Sequence, residues 1–326
     1  MHFFHNANFN FVKFRRRAML GSAIVILAGF ASMLLQGGLK MSIDFAGGAL
    51  VEIGLQQPVP VQEVRSIIGK AGFNDAEITR FGQEANYLIK VKNLEGQSAE
   101  VPTATAARDS MNTAAVRDTV DTPERIVAKR IETALSAGIA GQKVEVRRVE
   151  TVGPKVGSEL RKSAFLAVIY SLLGILIYIS WRFQFRFAVA AILATAHDAT
   201  VMLAFFSFAG LEMSISGIAA ILTIVGYSLA DTVVVFDRIR ENLGLRRRED
   251  FGTLINTSIN ETLSRTIITS GTVMLTLVAL LVFGGAVIRE FAMAMTVGII
   301  AGTYSSIFIA APILLEWQMW KPTKRK

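Results

Sequence analysis

The feature that most constrains this chain is a set of six long apolar runs. Each holds about 20 residues, the length that an α-helix needs to cross the hydrocarbon core of a bilayer. Over the whole chain, 52% of the residues are hydrophobic and the mean hydropathy is +0.45. A backbone in lipid has to satisfy its own hydrogen bonds, so the sequence predicts an α-helical membrane protein. The six predicted transmembrane helices are Ala18–Gln36, Ala164–Ser180, Phe187–Ala209, Met213–Phe236, Ile267–Val287 and Phe291–Leu315.

A polar stretch of about 120 residues separates the first apolar run from the other five. We therefore predict three parts: residues 1–37 with the first helix, residues 38–162 as a folded external domain, and residues 163–326 with helices 2–6, their loops and the tail. The external part has the pattern order β-α-β-β-α-β, which is typical of a ferredoxin-like α+β domain. The predicted strands are 49–55, 77–81, 87–92 and 143–151, and the predicted helices are 59–69 and 123–135.

One segment of the external domain has a different composition. Leu94–Val120 is rich in Ala, Thr and Ser, which favours a loop or a disordered insertion. Thr122 is placed to cap the helix that Pro123 begins.

The basic residues collect in alternate connections between the apolar runs. Arginines follow the second and fourth runs and lysines end the chain, whereas Gly210–Glu212 contains neither Lys nor Arg. The positive-inside rule then places both termini in the cytoplasm and the folded domain outside. The net charge of +8 is explained by these loops, so nucleic-acid binding is not favoured. The basic N-terminus favours an uncleaved anchor, with a cleaved signal peptide as the alternative.

The composition argues against an enzyme. There is no cysteine, the three histidines are scattered, and no Ser/His/Asp arrangement or GxxxxGK[ST] loop is present. We therefore predict no metal, no ATP and no organic cofactor.

Two membrane helices carry polar stripes at helical spacing. Asp231 lies inside the fourth apolar run, and an acid there is a functional-site hypothesis because an unpaired charge in the bilayer is costly. Thr223 and Tyr227 precede Asp231 at intervals of four, so all three share one face. The fifth run carries a second stripe of Arg265, Thr269, Thr272 and Thr276.

The two runs are antiparallel, so Asp231 and Arg265 both fall in the inner half of the membrane. We predict that they form a buried acid–base pair, with Asp231 taking up and releasing a proton. A static ion pair that only fixes helix packing is the alternative. Asp198 and His197 lie near mid-depth on the third run, and Asp198 is a second candidate for the same polar path.

Two further patterns concern packing. Residues 250–264 are amphipathic and predict a helix in the membrane interface, or else an ordinary helical hairpin loop. The sixth run has Gly298, Gly302, Ser306 and Ala310 at intervals of four, which predicts close approach of another helix.

Several motifs resemble the SecF family. They are SIDFAGG at Ser42–Gly48, VGPKVGSEL at Val152–Leu160, GYSLADTVVVFDRIREN at Gly226–Asn242, NETLSRTIITS at Asn260–Ser270, and FGG and AGTYSSIFIA in the last two runs. The chain departs from the family pattern at Ala230, where many relatives have Asn, and in the length of Leu94–Val120.

The resemblance implies one half of a transporter of the RND superfamily, with a periplasmic domain after the first helix. It implies a multi-pass protein of the bacterial inner membrane that works with SecD and the SecYEG translocon on a translocating unfolded polypeptide, in contact with membrane lipids. The implied coupling ion is the proton, with the proton motive force assisting late steps of export. The resemblance assigns the proton pathway to Asp231 and Arg265, to which the residue pattern adds Asp198, Tyr227, Thr223, Thr269 and Thr272. The alternative function is an RND-type exporter of small molecules or lipids acting as a homo-oligomer.

Overall fold

The computed structural model describes residues 8–81, 85–92, 123–139 and 141–320. The predicted insertion at Leu94–Val120 and the cap at Thr122 lie outside these residues.

The chain forms two compact units, one of residues 1–40 with 164–326 and the other of residues 41–163. Its elements in chain order are α1 Phe11–Leu35, α2 Ile43–Ala46, β1 Gly48–Leu55, α3 Val61–Lys70, β2 Glu77–Phe81, β3 Asn86–Lys92, α4 Pro123–Gly138, β4 Val144–Val152, α5 Pro154–Arg182, α6 Phe185–Ala209, α7 Ile215–Leu245, α8 Phe251–Phe283, α9 Gly285–Ser305, a π-helical turn Ser306–Ala310 and α10 Ala311–Trp320.

The smaller unit is a four-stranded antiparallel sheet with helices α3 and α4. The strand order is β2-β3-β1-β4, so β1 pairs with both β3 and β4. This confirms the predicted ferredoxin-like arrangement, in which each β-α-β crossover leaves room for one antiparallel strand. The alternation of β1 places Ala49, Val51 and Ile53 in a fully buried core.

A pair of glycines begins β1 in a backbone conformation that other residues avoid. Gly47 has φ +80° and Gly48 has φ +152°. A Cβ atom on Gly48 would overlap the carbonyl oxygen of Val91 on β3. The short helix α2, which the sequence did not predict, buries Ile43 and Phe45 just before the turn. These contacts explain why the SIDFAGG segment ends in two glycines.

Replacing Gly48 with Ala is expected to loosen the β1–β3 ladder. The strained backbone and the overlap with Val91 together cost about 1–3 kcal/mol. Hydrogen exchange of the β1 amides in the full chain should become about 5- to 150-fold faster. Gly153→Ala is the matched control, because a Cβ atom there meets nothing within 4 Å. Equal exchange in the two variants would contradict this account of the glycine pair.

The helical unit contains six helices of sufficient length and apolarity to cross a membrane among the residues that the structure describes. They correspond to the six predicted runs, and the last one, Ile288–Trp320, includes most of α9, the π turn and α10. Local chemistry sets the helix ends. The Ser214 hydroxyl accepts from Gly217 N at 3.1 Å, and the Asp250 carboxylate accepts from Gly252 N at 2.9 Å. Gly210 ends α6 with φ +63°.

Helix α9 packs between α6, α7 and α8. Its small residues allow this, since a Cβ atom on Gly298 would overlap Ile224 and one on Gly302 would lie 2.8 Å from Ser228 Cβ. Both neighbours are on α7, so α7 is the partner helix that the small-residue spacing predicted without naming. The π turn that follows precedes Pro312, which has no N–H to donate to an α-helical bond.

Helix α8 corrects one prediction. Residues 250–264 do not form a separate interfacial helix or a hairpin loop, because Phe251–Phe283 is one continuous helix of 33 residues. Leu254, Ile255 and Ile259 are buried within the helical unit. Asn260 on the same helix donates to Phe9 O and accepts from Phe9 N, both at 2.9 Å. The amphipathic pattern therefore reflects packing against other helices of the bundle.

Candidate functional site

The most completely buried acid of the described helices is Asp198 on α6, with no exposed surface. Its Oδ2 accepts hydrogen bonds from Ser228 Oγ on α7 and, at 2.7 Å, from Ser305 Oγ on α9. Its Oδ1 lies 2.9 Å from His197 Nδ1. We call these four residues the Asp198 cluster. It ties three helices together through one carboxylate.

Close packing of α7 and α9 positions the two serines of this cluster. Gly302 allows Ser228 to approach α9, and Ser305 follows three residues later on that helix. Because both hydroxyls point at one carboxylate oxygen, each donates to it. A buried carboxylate with several donors is a satisfied polar group rather than an isolated charge.

A second group of polar side chains surrounds Asp231 on α7, which is 8% exposed. Ser270 Oγ on α8 lies 3.5 Å from Asp231 Oδ2, at the long limit of a hydrogen bond. The same hydroxyl lies 2.8 Å from Thr303 Oγ1 on α9. We call these three residues the Asp231 cluster. Thr303 is two residues before Ser305 and Asp231 is three residues after Ser228, so the two clusters are neighbours along both α7 and α9.

Arg265 does not form the predicted direct pair with Asp231. Among the described residues, no ion pair within 4.0 Å joins Arg265 to Asp231. Arg265 is exposed on α8. Ser270, five residues later on α8, takes the direct contact instead, because the arginine side chain lies on the outer surface of the helix.

The predicted hydroxyl stripes also face outward. Thr223 and Thr269 are exposed, and their hydroxyls donate to carbonyls of their own helices, Ala219 O at 2.7 Å and Arg265 O at 3.0 Å. Tyr227 is the exception: the residue is half-buried, and its hydroxyl is enclosed and has no partner among the described residues. The structure therefore does not join these residues to either acid. We call this surface of α7 and α8 the outward polar face; it consists of Thr223, Arg265, Thr269, Thr272 and Thr276.

The outward polar face also includes two glycines, which have no side chain to project from the surface. Gly226 on α7 and Gly271 on α8 are both exposed, and a Cβ atom on either would meet nothing within 4 Å. Small and hydroxyl-bearing residues on a membrane helix are typical of a helix–helix interface. An arginine facing lipid near them would be costly without a polar neighbour. The surface therefore has the chemistry of a contact with further transmembrane helices.

Glu261 on α8 binds the arginine-rich C-terminal end of α7. Glu261 accepts from Arg238 Nε at 2.6 Å, from Arg246 Nη2 at 3.0 Å and from Asn242 Nδ2 at 2.7 Å. Asn242 is buried and also donates to Ser258 Oγ at 2.9 Å. These contacts hold the end of α7 against the first turns of α8, on the N-terminal side of Ser270.

Sequence reasoning identified both acids but missed four hydroxyl partners, namely Ser228, Ser270, Thr303 and Ser305. Each of them lies inside one of the family motifs, GYSLAD, NETLSRTIITS or AGTYSSIFIA. Their helical phase was the available signal, since Ser228 lies one turn before Asp231.

Comparison with known proteins identifies the family of this chain. A profile described as "Protein export membrane protein SecD/SecF, C-terminal" matches residues 132–320, more than half of the chain. A second, described as "SecD/SecF GG Motif", matches residues 33–59 and so includes the glycine pair at the start of β1. The chain belongs to the SecF family.

Curated relatives agree over nearly the whole length. The protein translocase subunit SecF of Desulfurispirillum indicum is 43% identical over 311 residues, which is 94% of this chain and 91% of that protein. The Pseudomonas aeruginosa protein of the same name is 36% identical over 94% of this chain and 90% of its own. These relatives are translocase subunits, and the present chain is a multi-pass membrane protein of their family.

Solved structures of SecDF share the fold. The crystal structure of SecDF from Thermus thermophilus, described as a translocon-associated membrane protein, superposes with a TM-score of 0.77 at 36% identity. A super-membrane-facing form of SecDF gives a TM-score of 0.66 at 37% identity. The match includes 96% of this SecF-family chain but only 39% of the Thermus thermophilus chain. The present chain therefore spans about two fifths of that protein.

Proposed function

We propose that this SecF-family chain is a subunit of the Sec protein-export machinery that works together with SecD. The observation that carries the proposal is the buried carboxylate of Asp231 beside the outward polar face. An acid inside a membrane helix is energetically costly, and such acids usually mark functional sites. The translocase names of the relatives and the likeness to a translocon-associated protein support the export role.

In this proposal, protons are the coupling ions. Asp231 binds a proton from one side of the bacterial inner membrane and releases it to the other. Protonation removes the attraction between Asp231 and Arg265, so the packing of α7 against α8 changes with each proton. The proton then passes to the Asp198 cluster through the serine and threonine hydroxyls of α7 and α9. The outward hydroxyls of Thr223, Thr269 and Thr272 complete the path once a partner covers them.

The partner is the second part of the proposal. The outward polar face is covered by transmembrane helices of SecD, which supply polar groups to Arg265. The paired subunits act beside the SecYEG channel, and the external domain contacts the emerging unfolded polypeptide. Both termini lie in the cytoplasm and membrane lipids surround the remaining helix surfaces.

A single cysteine on the outward polar face tests the partnership. The chain has no native cysteine, so Thr272→Cys gives one reactive position. A photoreactive maleimide on this cysteine, activated in native membranes, is expected to give one main adduct with SecD. Mass spectrometry of the adduct identifies the companion.

Leu27→Cys is the matched control for this experiment. Leu27 is 67% exposed on α1, which packs mainly against α6, so its cysteine should label lipid and give no SecD adduct. An adduct of Thr272→Cys with a second copy of the same chain would instead favour the homo-oligomeric exporter. Lipid labelling alone at both positions would contradict the proposed interface.

A further inference from the structure

Two arginines meet where α5 turns into α6. Arg182 is the last residue of one candidate membrane span and Phe185 is the first of the next, so this connection lies at one surface of the membrane. Arg240, near the end of α7, reaches the same place, because its Nη1 donates to the backbone oxygen of Arg182 at 3.3 Å. We call Arg182 and Arg240 the arginine pair.

One buried ring fixes both guanidinium groups. The Arg182 guanidinium lies 5.2 Å from the centre of the Phe183 ring, and that of Arg240 lies 4.9 Å from the same centre. Phe183 is only 7% exposed and contacts Phe187, with centroids 6.0 Å apart, so the core holds the ring in place. Arg186 lies 5.3 Å from the Phe187 ring in the same manner. These cation–π contacts restrict the arginine side chains, so positive charge is presented in a defined arrangement.

Arg182 has unused donors on an accessible surface. The residue is exposed, and its side chain makes no hydrogen bond or ion pair with any other described residue. A guanidinium has five N–H donors in a planar fork that matches the oxygens of a phosphate. The Arg240 side chain is 39% exposed and pairs with Asp237 at 3.0 Å. One carboxylate thus offsets one of the two charges, and the arginine pair stays positive.

Exposed apolar residues continue from the arginine pair along α5. Ile177, Tyr178 and Trp181 are 70%, 55% and 86% exposed. Ile177 and Trp181 are four residues apart and so share one face of the helix. Trp and Tyr side chains are typical of the level at which acyl chains meet headgroups. A ligand that fits both surfaces has negative charge at one end and hydrocarbon at the other, whereas an acidic protein segment matches the charge alone.

We propose that the arginine pair binds the headgroup of an anionic phospholipid. Its phosphate oxygens accept hydrogen bonds from Arg182 and Arg240, and one acyl chain lies along Ile177 and Trp181. Basic groups between membrane helices suit anionic headgroups, and the guanidinium fork suits phosphate better than an ammonium does. The site requires only that these helices cross a membrane, so a failure of the export experiments would leave it standing.

Photolabelling with a matched pair of lipids tests the site. The full chain is placed in nanodiscs that contain phosphatidylglycerol with a diazirine in one acyl chain, or phosphatidylcholine with the same chains. The anionic probe is expected to label the C-terminal α5 peptide about fivefold more than the zwitterionic one, the effect of one net arginine charge near the headgroups. Equal labelling by the two probes would overturn the proposal and leave the arginines to an acidic segment of a partner protein.

A competitor distinguishes a lipid from a free phosphate ion. Inorganic phosphate in excess, at constant ionic strength, should leave the labelling by phosphatidylglycerol unchanged, because it has no chain to lie along Ile177 and Trp181. Loss of labelling with inorganic phosphate would show a site for the free ion and overturn the lipid assignment.

Two variants of equal charge separate this site from the general attraction of a basic protein. Arg182→Gln removes the donors that have no partner in the described part of the chain, so the preference for phosphatidylglycerol should fall about fivefold, to near one. Arg247→Gln removes one positive charge from an exposed position between α7 and α8 and should leave the preference unchanged. An equal loss of preference in the two variants, or none in Arg182→Gln, would overturn the proposal.

Discussion

Replacing Asp231 with Asn is expected to reduce proton-driven export by at least about tenfold, because positioned proton-transfer groups contribute about 10²–10⁴ to a rate. Asn has nearly the size of Asp and still accepts from Ser270, so α7 and α8 stay packed. The side chain can no longer gain or lose a proton, and its attraction to Arg265 is absent throughout the cycle. The measurement is export into proteoliposomes that contain the whole complex, with and without an imposed proton gradient, together with the proton flux itself.

Asp237→Asn provides the matched control. Asp237 is on the same helix but exposed, and it pairs with Arg240 at 3.0 Å near the end of α7. Its loss should leave both export and proton flux within about twofold of the unsubstituted chain, as for an exposed ion pair. Unchanged gradient-dependent export in Asp231→Asn would show that the acid only fixes helix packing.

Replacing Asp198 with Ala is expected to destabilise the helical unit strongly. The hydroxyls of Ser228 and Ser305 and the ring of His197 lose their shared acceptor in a fully buried position. Ser305 keeps its bond to Gly302 O at 3.1 Å. The other two groups are left without a partner at about 1–3 kcal/mol each, so a total of about 2–6 kcal/mol is expected. The thermal midpoint in nanodiscs should then fall by about 4–24 °C.

Two comparisons isolate this effect from the loss of volume. Thr195→Val changes another buried polar residue of α6. Among the described residues the Thr195 hydroxyl bonds to Ala191 O of its own helix at 2.9 Å and to no other group, so the midpoint should move by about 2 °C or less. Ser228→Ala combined with Asp198→Ala forms a double-mutant cycle. A coupling energy of about 0.5–3 kcal/mol is expected between the two residues. Additive effects would show that the cluster does not act as a unit.

Much of the architecture follows from the sequence because the signals are long and periodic. Six apolar runs predicted six helices, and alternating strands predicted the sheet, since both patterns extend over whole elements. The boundary between α7 and α8 and the true extent of α8 were harder to predict. Residues 250–264 carry the polar positions of an interfacial helix, and only the packing of Leu254 and Ile255 shows that they continue into a membrane helix.

The polar sites show a different limit. Spacing placed Asp231 and Arg265 on facing helices but could not give the rotation of either helix about its own axis. A rotation of one residue, about 100°, turns a buried position into an exposed one. That is why Ser270 contacts Asp231 while Arg265, Thr269 and Thr272 face outward. The Asp198 cluster forms only where three helices meet, so no single stretch of sequence predicts it.

The length of α8 has a mechanical consequence. Thirty-three helical residues extend for about 50 Å, which is longer than the ~30 Å thickness of the hydrocarbon core. Glu261 binds α7 from the first turns of α8, and Ser270 contacts Asp231 farther along the same helix. A stiff rod transmits a tilt or a twist over its full length, whereas two helices joined by a hinge would absorb it. Under the proposed function, a displacement of the first turns of α8 changes the geometry around the Asp231 carboxylate, and a proton that binds this carboxylate moves those turns.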